Sequence, residues 1–105
     1  MKERKYFLSR QAVLDIREIV EYIARDSINN ARQFTNKLME ICYSIGDFPE
    51  RGRIVPEVRN SQIREIIYRN YRIVYTVQDK KVYILQIFNA ARLFRMQTLK
   101  TDPDE

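Results

Sequence analysis

The sequence predicts an α+β fold: a helix hairpin packed on one face of a mainly antiparallel β-sheet, in the order β-α-α-β-β-β. Three observations predict it. Apolar residues recur at helical spacing through two consecutive segments, 12–23 and 31–45. Three short β-type runs then stand back to back between residues 63 and 88, separated by turn signals. Each helix carries one apolar stripe, so both need a shared surface, which a sheet supplies.

The elements follow in chain order. Tyr6-Phe7-Leu8 is a short apolar run behind a basic start and reads as the first strand. Ser9 stands where a helix N-cap belongs. Ala12, Val13, Ile16, Ile19, Val20 and Ile23 form one stripe, with Asp15, Arg17, Glu18, Glu21 and Arg25 opposite, giving an amphipathic helix of about 17 residues. The segment 26–30 breaks the pattern and offers a fresh cap. Ala31, Phe34, Leu38, Ile41 and Ile45 then set the second helix, with Gly46 placed to end it and Pro49 to block continuation. The short link makes the helices an antiparallel hairpin.

The segment 47–61 contains Pro49, Gly52 and Pro56 and is the longest irregular stretch, a place where compact domains often carry function. Beyond it, 63–68 turns at Arg69-Asn70 into 71–77, which turns at 78–81 into 82–88. The pairing of the first strand is left open by the sequence.

At 105 residues the chain is one domain, expected over 1–99, followed by a polar acidic tail at 100–105. With 45% apolar residues, two glycines and three prolines, it suits a folded globule. No apolar run approaches the ~20 residues of a membrane span, and the basic start is not followed by a signal-peptide core. Cys42 is the single cysteine, so no internal disulfide forms, and its position on an apolar helix face predicts a buried, inert thiol in a reducing cytoplasm. With no histidine, a zinc site is not expected, and no cofactor is expected. The net charge is +5, but the tail holds three of the 14 acids, so residues 1–100 carry +8. Such a body attracts polyanions: RNA, DNA or an acidic protein.

Strand alternation sorts the faces. In the middle run, Tyr71, Ile73, Tyr75 and Val77 share the face expected to meet the helices, while Arg72, Val74 and Thr76 share the other. In the last run Tyr83, Leu85 and Ile87 oppose Val82, Ile84 and Phe88, so both faces are apolar. Two helices cover only one side. The second face is therefore expected to leave a patch for a partner, drawn from Val74, Ile66 or Ile67 and one set of the last strand, unless Leu93, Phe94, Met96 and Leu99 fold back over it.

From Phe48 to Leu93 the chain reads FPERGRIVPEVRNSQIREIIYRNYRIVYTVQDKKVYILQIFNAARL. The ordered set Phe48-Pro49-Glu50, Gly52-Arg53, Val55-Pro56-Glu57, Ile63-Arg64-Glu65, Tyr71-Arg72-Ile73-Val74-Tyr75, Ile84-Leu85 and Arg92, behind two helices, resembles the RelE/ParE superfamily of small bacterial toxins. The resemblance covers nearly the whole chain. It implies a toxin of a toxin–antitoxin module, cytoplasmic, without membrane attachment, and held in a hetero-oligomer by a cognate antitoxin. Val74, Ile84, Phe88 and Phe94 are the residues expected to meet that antitoxin.

Two targets are open. RelE-type toxins cut mRNA on the ribosome, letting the RNA's own 2′-hydroxyl attack the adjacent phosphate. That chemistry needs a proton acceptor, a proton donor and charge stabilisation at the phosphorane. The matching arginines of that group fall on Arg72 and Arg92, the candidate catalytic pair if the nuclease reading holds. Its lysine pair falls near 65–67 and its late tyrosine near Thr98, where neither residue type stands. The histidine of a related branch falls on Asn89-Ala90. Arginine stabilises phosphate charge but surrenders a proton very reluctantly. ParE-type toxins, taken to poison DNA gyrase, need a binding surface rather than an acid–base set. They match in the long hairpin, the Phe48–Arg53 block and Arg64-Glu65. A ParE-like gyrase poison is therefore expected first, with Arg53, Arg64, Arg69, Asn89 and Arg92 binding the target. A RelE-like ribosome-dependent mRNA endonuclease is the alternative. A non-toxic nucleic-acid or protein binding module is the third reading, since one fold hosts many functions.

Overall fold

The computed structural model describes residues 6–90. Strand β1 (Tyr6–Leu8) leads into helices α1 (Arg10–Asp26) and α2 (Ile28–Asp47). Strands β2 (Arg53–Ile54), β3 (Ile63–Tyr68), β4 (Tyr71–Gln78) and β5 (Lys81–Asn89) follow. They form one five-stranded sheet in the order β1-β5-β4-β3-β2, antiparallel except where β1 runs parallel to β5. The α+β architecture is as expected. The added strand is β2, two residues within the segment expected to be irregular. No helix among the described residues is long and apolar enough to cross a membrane.

Single residues set the junctions. Ser27 ends α1 by donating its N–H to the Ile23 carbonyl and starts α2 by accepting from the Asn30 N–H through Oγ, both at 3.0 Å. α2 runs through the buried Gly46 to Asp47, one residue past the expected stop, and Pro49 lies just beyond. Between β4 and β5, Asp79 and Lys80 take φ 52° and 65°. Two left-handed central residues match the twist of a tight hairpin.

Ser9 has two further jobs beyond capping. Its Oγ accepts from the Ala12 N–H at 3.0 Å and donates to the Leu85 carbonyl at 2.9 Å, and its own N–H donates to the Ile84 carbonyl at 2.9 Å. β1 pairs with β5 only as far as Leu8 opposite Ile84. Beyond that point α1 takes over the exposed edge of β5: the Ile87 N–H donates to Asp15 Oδ2 at 2.9 Å. Buried backbone groups must find partners, and here a helix supplies them where the edge strand stops. A Ser9→Ala chain is expected to lose about 1–2 kcal/mol, more than an exposed cap would, because the Leu85 carbonyl also loses its donor. The urea midpoint at unchanged m-value measures it.

Alternation fails on β5 for a physical reason. Val74 lies opposite Gln86 and Tyr75 opposite Ile84, so Leu85 is an extra residue on β5, a β-bulge. The bulge turns the strand over. Val82 and Ile84 before it and Ile87 after it all enter the helix-side core, with Phe34, Leu38, Ile41, Ile45, Ile73 and Tyr75. Leu85 joins Val55, Ile63 and Val74 in a second, smaller core on the opposite face, flanked by Val58 and Phe88. Ile84 therefore belongs to the helix-side core and not, as expected, to the second face. Cys42 is fully buried and its thiol is pushed up to about 12 by burial.

Candidate functional site

Three features of the folded chain stand out: a charged ladder on the helix-free face, a hydrogen-bonded loop at the end of α2, and an incompletely covered α1.

The ladder alternates Arg53, Glu65, Arg72 and Glu57. Glu65 on β3 and Arg72 on β4 project onto the helix-free face. Glu65 Oε2 accepts from Arg53 Nε at 2.7 Å, and Oε1 accepts from Arg72 Nε at 2.5 Å. The remaining arm of Arg72 forks onto Glu57, with Nη1 to Oε2 at 2.9 Å and Nη2 to Oε1 at 2.8 Å. The planar guanidinium matches the carboxylate in this two-point arrangement. It also lies over the Phe88 ring, 5.5 Å from its centre. The Glu65 and Arg72 side chains are 0% and 6% exposed, against 41% for Glu57. The hydrogen bonds from Arg72 hold the Glu57 carboxyl down at about 2. Those from Glu57 and then Glu65 push Arg72 further above its already high value, against the effect of burial. Because the Glu57 pKa is lowered on folding, its stabilising contribution is complete above about pH 4.5 and lost as pH falls through about 2.

The hydrogen-bonded loop spans 48–53. Tyr75 stands in the helix-side core, yet its hydroxyl donates to the Pro49 carbonyl at 2.7 Å and accepts from the Gly52 N–H at 2.9 Å. The Gly52 carbonyl accepts from Arg64 Nη1 at 2.7 Å, and Arg51 bonds Ser44 on α2. Burial pushes the Tyr75 phenol up, so it remains a donor at neutral pH. Against this anchored backbone Phe48 is 67% exposed. An open groove of about 730 Å³ lies alongside, lined by Asp47, Phe48, Arg51, Arg64, Val77 and Lys80 among others.

Helix α1, incompletely covered, is the third feature. Ala12 is its one buried residue, and Ile16, Ile19, Val20 and Ile23 are only half covered by α2 and the sheet. Val13, Leu14 and Tyr22 are 40%, 45% and 68% exposed.

Placed individually, the sequence candidates separate. Val74 is fully buried beneath the 55–62 segment, and Ile84 is fully buried under the helices, so neither lies on the surface expected for it. Phe88 is half buried beside Arg72, and Ile67 is exposed on the same face. Arg53 is exposed but tied to Glu65. Arg64, the next position along β3 from Glu65, points to the opposite side and braces Gly52. Arg69 occupies the β3–β4 turn at φ 55°, its guanidinium 5.3 Å from the Tyr68 ring centre. Asn89 ends β5 opposite Tyr71, near that turn. The target-binding candidates thus fall on several surfaces rather than one cluster. Arg92 and Phe94 lie outside the described residues. Sequence reasoning missed Glu57, Gly52 and Tyr75 as organising residues. Tyr75 carried a signal, because a tyrosine hydroxyl at an inward strand position needs a partner; Glu57 and Gly52 lie outside the strands and carried none.

The family model described as ParE toxin of type II toxin–antitoxin system, parDE, matches residues 6–94. A curated protein of Caulobacter vibrioides, Toxin RelE2, is 33% identical over 84 residues, which is 79% of this chain and 91% of that protein.

Proposed function

Because the chain belongs to the ParE toxin family of type II toxin–antitoxin systems, we propose that it arrests growth as a ParE-like poison of DNA gyrase. A cognate antitoxin is the partner that the family implies. The observation that carries the gyrase reading is the engagement of Arg72. A nuclease arginine must offer its donors to a phosphate, whereas this one spends its fork on Glu57 and its Nε on Glu65. The chain also contains no histidine to move protons near neutrality. A toxin that works by holding a protein target needs neither.

One observation favours the second reading, a RelE-like ribosome-dependent mRNA endonuclease: the name of the Caulobacter relative, Toxin RelE2. Brief induction of the chain without antitoxin separates the two. DNA double-strand breaks with SOS induction are the expected result. Intact chromosomes with transcripts cut in the ribosomal A site would replace gyrase by the ribosome. Normal growth at verified expression would leave only the non-toxic binding module.

The antitoxin seat is the finer part of this reading. The half-covered stripe of α1, with exposed Val13 at its margin, forms an apolar surface that no element among the described residues packs against fully. Contiguous apolar surface of this kind marks a partner site. Phe88 and Phe94 are retained as antitoxin contacts, and Arg53, Arg69, Asn89 and Arg92 as target contacts. The assembly is a cytoplasmic hetero-oligomer.

A further inference from the structure

Residues 55–62 cross the helix-free face of the sheet as a strap. Few groups hold it there. Pro56, Glu57, Arg59, Ser61 and Gln62 are exposed, and Val55 and Val58 are its apolar anchors. Its hydrogen bonds mostly close on itself: Val58 and Arg59 N–H donate to the Val55 carbonyl, Gln62 N–H to Asn60 Oδ1, and Ile63 N–H to the Asn60 carbonyl. The Val55 N–H bonds the Ile63 carbonyl and closes the neck. Its polar ties to β4 are the Glu57–Arg72 fork and, at the β3 end, the bond from Thr76 Oγ1 to the Gln62 carbonyl at 2.7 Å.

We propose that residues 55–62 form a salt-latched lid, which unfolds locally off the sheet, its internal hydrogen bonds opening with it, while the helix-side core stays folded. Segments with few buried contacts and self-contained hydrogen bonds open at lower cost than the core. The two apolar cores share the sheet but lie on opposite faces, so lifting the strap leaves Phe34, Leu38 and Tyr75 untouched. In the closed state Glu57 occupies the outward arm of Arg72. In the open state Glu65 still pairs with Arg72, so the buried cation is never stranded. Opening turns Val74 and Leu85 from core into surface and further uncovers the half-buried Phe88. The lid therefore controls access to the apolar part of the helix-free face, whichever cellular target the toxin has.

Hydrogen exchange on the full chain at neutral pH tests this with Glu57→Gln, which keeps the shape and removes the charge. Amides of Val55, Val58, Arg59 and Ile63 are expected to exchange on the order of tenfold faster, with α2 and β5 unchanged. Glu40→Gln, on an exposed helix pair, is the control and leaves the strap unchanged. Equal acceleration throughout the chain, or none in the strap, would overturn the proposal. A second readout is thiol labelling of Val74→Cys, because the native Cys42 is buried and inert. The new thiol is expected to react faster than Cys42, and on the order of tenfold faster again with Glu57→Gln. Labelling no faster than Cys42 would sink the lid. Arg72 is not the residue to change here, since its loss would leave Glu65 short of a partner.

Discussion

An Arg72→Ala protein is expected to lose about 3 kcal/mol of folding stability, read as a lower urea midpoint and a melting temperature reduced by roughly 10–20 °C. The cause is not the removed charge itself but what remains. Glu65 is 1% exposed and keeps only Arg53 of its two cationic partners, while Glu57 is released to solvent. Breaking a buried pair from one side leaves an uncompensated charge, which costs more than the pair contributes net. Arg72→Lys is expected to recover only part of the loss, because a point charge cannot meet Glu65 and fork onto Glu57 together. A loss below about 1 kcal/mol would mean that the ladder behaves like an exposed ion pair, where such values are usual.

That prediction bears directly on function. Loss of toxicity in Arg72→Ala would ordinarily be read as loss of a catalytic group. With Arg72 buried between two carboxylates, the same result follows from a poorly folded toxin. Toxicity must therefore be compared at matched folded concentration. Arg92, the other position on which the resemblance to the nuclease group places an arginine, lies outside the described residues, and its variant calls for the same comparison.

The helices were legible because their signals are local. Stripe spacing, the Ser9 and Ser27 caps and the Pro49 stop all act within a few residues. The β3–β4–β5 meander was legible for the same reason, since each connection is a tight turn. What the sequence concealed are relations between distant residues. The bulge at Leu85 reverses the faces of β5, and nothing in VYILQIF reveals a bulge, because apolar residues satisfy both faces equally. That is why Ile84 was expected on the second face and is found in the helix-side core. Val74 was assigned to the correct face, but its burial depends on the strap, and the strap depends on Glu57 meeting Arg72, 15 positions away. The parallel β1–β5 pairing joins residues more than seventy positions apart and has no local signature.

Gly52→Ala should be among the most damaging single changes in the chain, although it adds one methyl group in a loop. A Cβ at this position would stand 2.6 Å from the Glu65 carbonyl oxygen and 2.7 Å from the Tyr75 hydroxyl. The first obstacle is backbone. Glu65 pairs with Arg53 on one side and Val74 on the other, so β3 cannot retreat without breaking its ladder. The second obstacle is a fully buried ring with no room to swing. The loop must instead lift from the sheet, and the Tyr75 hydroxyl then loses both Pro49 and Gly52. Overpacking and a stranded buried hydroxyl together set a loss of about 2–5 kcal/mol, measured by denaturant unfolding. Tyr75→Phe removes the hydroxyl alone and is expected to cost about 1–2 kcal/mol. The two changes share an obstacle, so their effects should fall short of additive. The double variant should nonetheless stay well below Tyr75→Phe, because the closer contact, with the Glu65 carbonyl, remains. Full rescue by Tyr75→Phe would place the constraint in the phenol alone and free β2 to move independently of β3. A near-neutral Gly52→Ala would show that the 48–53 loop is not pinned at all, and that exposed Phe48 is presented by a mobile segment rather than a fixed one.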